Sequence, residues 1–122
     1  MRFARVVFRF ASIYGVLVLL PQYFLEGRIG RDYPPPITHP EHFYGFVGVA
    51  LAWQAAFWVI SGDPLRFRPL MIPAVLEKAA FGIAVPVLYL QNRVSSALLP
   101  FGAMDLLLGT LFFVAWRKLS SP

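Results

Sequence analysis

Three ionisable side chains stand where an apolar run should contain none: Glu77 and Lys78 in one run, Asp105 in another. An ionisable group inside a membrane span costs at least ~2.5 kcal/mol on insertion scales, so it faces a neighbouring helix or a wet cavity and finds a partner there. The chemistry open to such groups is binding of a polar moiety, proton transfer, or a buried ion pair that fixes helix register. Asp105 shares a helical face with Gly102 and Gly109, and Glu77 shares one with Ala74, Ala80 and Ala84. Small residues at i±3 and i±4 let another helix approach, so both acids are predicted to point inward.

Lys78 is turned roughly 100° from Glu77 around a helix, which makes the two a poor pair along one face. It either snorkels toward the cytoplasmic interface or sits inside with a partner. Arg9 and Gln54 are expected at the depth of Glu77. The spacing predicts an Arg9–Glu77 pair, with Gln54 and Lys78 completing a polar network. Asp105 is expected nearer the outer surface, with Tyr44, His42 or Arg93 as its partner.

Other chemistry is poorly represented. His39, Glu41 and His42 offer nitrogen and oxygen ligand types in one segment. Their spacing matches no metal motif, and no metal is expected; a helix cap with interfacial histidines is the preferred reading. The chain has no cysteine, which removes thiolate, disulfide and iron–sulfur chemistry. It has no Walker loop, GxGxxG, GxSxG or CxxCH motif, and neither histidine falls in an apolar run. No cofactor is expected, nor an autonomous ATPase, dehydrogenase or cytochrome.

The elements that must position these residues are apolar helices. Of 122 residues, 58% are hydrophobic and 14% charged, and mean hydropathy is positive. That balance reads as a chain solvated by lipid. Four spans are predicted, at about residues 6–25, 43–60, 70–90 and 97–116, within a single domain covering 1–122. Residues 6–25 also fit a signal peptide, but no small-x-small cleavage site follows them, so they are read as a retained anchor. The Pro34–Pro36 run should be stiff and extended. Short links predict spans two, three and four as antiparallel neighbours. Asp63–Pro64 reads as a turn and helix start, and Gly48, Ala52 and Ala56 form a small-residue stripe for helix packing.

The net charge of +5 is scattered at span ends and carries no interleaved stacking aromatics, so nucleic acid is not an expected partner. Arg2, Arg5, Arg9, Arg66, Arg68, Arg117 and Lys118 fall on one side of the predicted membrane, against Arg28, Arg31 and Arg93 on the other. This places both termini in the cytoplasm. Arg66 and Arg68 are expected to meet lipid phosphates.

Residues 44–78, YGFVGVALAWQAAFWVISGDPLRFRPLMIPAVLEK, with a third span and an acidic fourth span after them, resemble the small four-helix bacterial membrane proteins grouped with DoxX. Asp63–Pro64, the Arg66–Pro69 stretch and Glu77–Lys78 carry that resemblance. It implies architecture and a bacterial inner-membrane setting, with some members linked to oxidoreductase assemblies. A weaker pattern resembles the emopamil-binding and sigma-2 receptor superfamily. That second resemblance implies an apolar ligand pocket lined by Trp53, Phe57 and Phe81, with Glu77 and Asp105 handling protons.

The fold expected is an all-α membrane protein, an antiparallel bundle of four transmembrane helices. The leading functional expectation is a small non-catalytic protein, either an accessory subunit of a larger membrane complex or a bundle that binds a lipophilic ligand. The alternative is an intramembrane isomerase-like enzyme or small transporter using Glu77 and Asp105. Expected partners are membrane lipids, a larger complex or a second copy, and a lipophilic small molecule.

Overall fold

Long runs of leucine, alanine, phenylalanine and valine should form long helices, and in lipid they tolerate the glycines and the Pro86 that interrupt them. In the computed structural model, which describes residues 1–119, they do. The helices are α1 (Arg2–Leu19), α2 (Glu26–Asp32), α3 (Pro40–Gly62), α4 (Met71–Leu90) and α5 (Leu99–Lys118), and no strand occurs among the described residues. Short 3-10 turns extend α1 through Phe24 and precede α4 and α5. Four helical stretches of 23 residues each are long and apolar enough to cross a membrane. At 1.5 Å per residue, each covers the roughly 30 Å of a hydrocarbon core.

The short helix α2 lies in the connection between the first two spans, ahead of the Pro34–Pro36 run. It is tied back to α3 by a hydrogen bond from the Tyr44 hydroxyl to Glu26 Oε1 (2.9 Å), and Tyr23, in the 3-10 turn before it, stacks on Tyr44. Pro40 starts α3, where a missing N–H costs nothing. His39 stands at its N-terminus and no side chain caps it, which corrects the helix cap expected in this segment. At the far end of α4, Asn92 takes a left-handed conformation (φ 58°). Arg93 N–H then bonds to Leu88 O and Asn92 N–H to Tyr89 O, closing the last turn.

The helices form two hairpin-like pairs, α1 with α3 and α4 with α5, joined mainly where α1 meets α5. Close approach of α4 and α5 depends on Gly102 and Gly109. A Cβ at Gly102 would lie 2.9 Å from Val85 Cβ, and one at Gly109 would lie 3.2 Å from Lys78 Cβ. The core sits at the end of the bundle where α1 begins and α5 ends: Phe8, Phe57, Ile60, Met71, Leu108 and Phe112 are fully buried there. Phe8 stacks on Phe112 with ring centroids 4.1 Å apart, and Phe57 meets Phe112 edge-on at 4.9 Å.

The predicted packing of span two against span three is corrected. Despite the short link at residues 63–67, α3 and α4 touch little along their length. They diverge because α4 is claimed by α5 through the glycine contacts while α3 is claimed by α1. Arg68 holds the turn to the fourth span: its Nε donates to Trp116 O (3.0 Å), and its guanidinium lies over the Trp116 ring. This draws Arg68 inward and leaves Arg66 as the exposed arginine of the two expected at lipid phosphates. Large apolar side chains face outward along the helices, Leu17 at 70% exposure and Phe24 at 83% among them. Such faces are costly in water and cost nothing against hydrocarbon.

Candidate functional site

Beyond the aromatic core, the two helix pairs part and leave between them a cavity of about 1260 Å³ that is open at its side, where the lining residues Val49 and Leu76 are exposed. Its walls come from α1, α2, α3, α4 and α5, and most of the lining is apolar, with Phe46, Trp53, Phe81 and Phe101 prominent. Polar groups are confined to a few side chains, of which Gln54, Glu77, Lys78 and Asp105 project from three different helices.

Lys78 is the centre of this group. It is only 3% exposed, and its Nζ lies 3.6 Å from Asp105 Oδ1 and 3.8 Å from Glu77 Oε2. The Phe57 ring lies 5.2 Å away as a cation–π partner. The glycine at position 109 makes room for the stem of Lys78 beside α5. Two carboxylates thus share one ammonium, and charges that would be prohibitive alone are compensated in place.

Several expected partners are corrected by this arrangement. Arg9 does not meet Glu77: it is exposed on the outside of α1, with its guanidinium over Trp58. The reason is helical phase, because Phe8 and Ala11 occupy the buried stripe of α1 and Arg9 falls beside it. Lys78 is an interior lysine, not one that snorkels. Asp105 meets Lys78, not Tyr44, His42 or Arg93, and the two acids are gathered at one cation instead of lying apart in depth. Phe57 is fully buried in the aromatic core, so of the three pocket aromatics only Trp53 and Phe81 line the cavity.

Gln54 reaches the same cavity from α3. Its Nε2 donates to the Ala50 backbone carbonyl (2.8 Å), and the backbone carbonyl of Gln54 accepts from the Ser12 hydroxyl (2.7 Å), which pins α3 to α1. Gly15 faces the Gln54 carboxamide so closely that a Cβ there would collide with it. Tyr14, Gly15 and Phe101 were not singled out by sequence. Gly15 had a readable signal, as the only glycine within the first apolar run.

Elsewhere, His39, Glu41 and His42 are all exposed, and their ligand atoms lie within 4.8 Å of one another at the start of α3. His39 Nδ1 is 3.3 Å from Glu41 Oε1. In the small-residue stripe of α3, Gly48 lies against the Tyr23 hydroxyl while Ala52 faces outward.

Comparison with known proteins adds no relative: no family model, curated protein or solved structure matches this chain.

Proposed function

We propose that this chain is a non-catalytic, multi-pass protein of a bacterial inner membrane that holds a lipophilic molecule between its two helix pairs. The observation that carries this reading is the apolar cavity of about 1260 Å³ with its polar groups gathered around Lys78. Ligand sites are concave and mostly apolar, with a few placed polar groups to orient what they bind. The outward apolar faces support immersion in lipid, and the lysine and arginine distribution supports termini on the cytoplasmic side. The DoxX-like pattern of residues 44–78 supports a companion role as an accessory subunit that presents such a molecule to a larger complex.

The test is to extract the protein in mild detergent and identify molecules that copurify with it. The expected result is a lipophilic compound recovered with the wild type and lost from a Val49→Trp, Ala84→Trp variant, whose added rings fill the cavity. Equal recovery from both would place the compound outside the cavity and contradict the proposal.

A second reading has its own supporting observation, the pairing of two carboxyl groups around one ammonium at the cavity wall. In an isomerase, one carboxyl group would give a proton to one carbon of a double bond while the other carboxylate removed a proton from the carbon attached to the other end of that double bond, shifting the bond by one position without redox change. Under this reading, the compound recovered from Glu77→Gln would differ in double-bond position from that recovered with the wild type. The same isomer from both would exclude it.

A further inference from the structure

At the start of α3, outside the cavity lining, the fold gathers the chain's only two histidines, His39 and His42, around Glu41. His39 Nδ1 lies 3.3 Å and His42 Nε2 lies 3.8 Å from the same carboxylate oxygen, Glu41 Oε1. The two rings meet edge to face with centroids 5.3 Å apart. Glu41 has no lysine or arginine partner among the described residues, so the two imidazoles are its charged or polar neighbours. An exposed contact of this kind adds little to folding, and stability alone gives no reason for both rings to face one oxygen.

The separations suit a shared ion. A tetrahedral metal with bonds of about 2.0–2.1 Å holds its ligand atoms about 3.3 Å apart. The three ligand atoms here lie within 4.8 Å of one another, so the widest gap needs to close by no more than about 1.5 Å. The backbone beneath them is already set. Pro40 fixes its own φ, and the His39 carbonyl accepts from the N–H groups of His42 (3.0 Å) and Phe43 (3.1 Å). The side chains themselves are exposed, and rotation about their own bonds brings them onto an ion without disturbing any packing. The spacing matches no linear motif because His39 stands at the N-cap, outside the helical phase of Glu41 and His42.

We propose that His39, Glu41 and His42 form a binding site for a divalent transition-metal ion of the zinc, nickel or copper(II) class. Two imidazoles and one carboxylate suit these borderline ions, whereas calcium and magnesium take oxygen ligands. Three protein ligands leave the fourth position to water or an incoming ligand. The site is independent of whatever the cavity holds.

The experiment uses the full chain without a polyhistidine tag, in nanodiscs of zwitterionic lipid, with Zn²⁺ titrated against a chromophoric chelator. One ion should bind per chain, and excess Mg²⁺ or Ca²⁺ should not displace it. Loss of a mere supporting partner costs a metal site roughly 10–100-fold in affinity, so His39→Ala, His42→Ala and Glu41→Gln should each weaken Zn²⁺ binding by at least about tenfold. Thermal unfolding checks that each variant keeps the wild-type fold. A second measurement needs no variant: on the wild type, Zn²⁺ should protect both histidines from diethyl pyrocarbonate, read by peptide mass spectrometry.

Zn²⁺ affinity in a His39→Ala, His42→Ala double variant equal to that of the wild type would overturn the proposal, as would displacement by Mg²⁺. Equal modification of both rings with and without Zn²⁺ would overturn it as well.

Discussion

Lys78 on α4 places its ammonium 3.6 Å from the Asp105 carboxylate on α5, and Glu77, its own neighbour in sequence, lies on the other side at 3.8 Å. The cation is therefore the element that makes both acids tolerable inside the bundle. Removing it as Lys78→Met leaves two carboxylates uncompensated, and loss of one partner from a buried pair costs about 3–5 kcal/mol. Glu77→Gln, Lys78→Met, Asp105→Asn together should cost clearly less than Lys78→Met alone. Thermal unfolding in detergent measures both, and a triple variant less stable than the single one would refute the shared-cation arrangement.

Gly15 and the Gln54 carboxamide occupy one close contact between α1 and α3. Gly15→Ala should destabilise the protein by about 1–3 kcal/mol through overpacking. Pairing it with Gln54→Ala should recover part of that loss, giving a coupling energy within the usual range of about 0.5–3 kcal/mol for neighbours. Strictly additive losses in a double-mutant cycle would show that the two positions do not touch.

The closed and open ends of the bundle should respond differently to truncation. Phe112 is fully buried between Phe8 and Phe57, so Phe112→Ala should cost about 3–5 kcal/mol. Phe81 already borders empty space, and Phe81→Ala should cost well under half as much. Comparable losses in denaturation midpoint would contradict the placement of core at one end and cavity at the other.

The four long helices were legible in the sequence because apolar composition and span length follow directly from the solvent a helix must face. The inward direction of Asp105 was legible too, since Gly102 and Gly109 mark where α4 comes close. Partner identity was not, because it depends on helix phase and on which helices pair. Arg9 has the right depth for Glu77 and the wrong face of α1, and adjacent residues 77 and 78 meet only because a lysine side chain is long and flexible. The pocket entered only through the emopamil-binding resemblance, at Trp53 and Phe81, because a link as short as residues 63–67 suggests that α3 and α4 pack together, whereas stronger contacts elsewhere pull them apart.

Because the chain has no native cysteine, orientation can be read with single introduced thiols. Thr38→Cys, in the connection before α3, should react with a membrane-impermeant maleimide in spheroplasts. Leu65→Cys, in the α3–α4 turn, should react only after the membrane is opened. The reverse pattern would invert the proposed topology.

The proposal of a held lipophilic molecule is tested most directly by native mass spectrometry of the protein released from membrane nanodiscs. Wild-type chains should carry a single apolar adduct of defined mass, and Val49→Trp, Ala84→Trp chains of equal stability should appear without it. A wild type that emerges bare, or a filled variant carrying the same adduct, would contradict it.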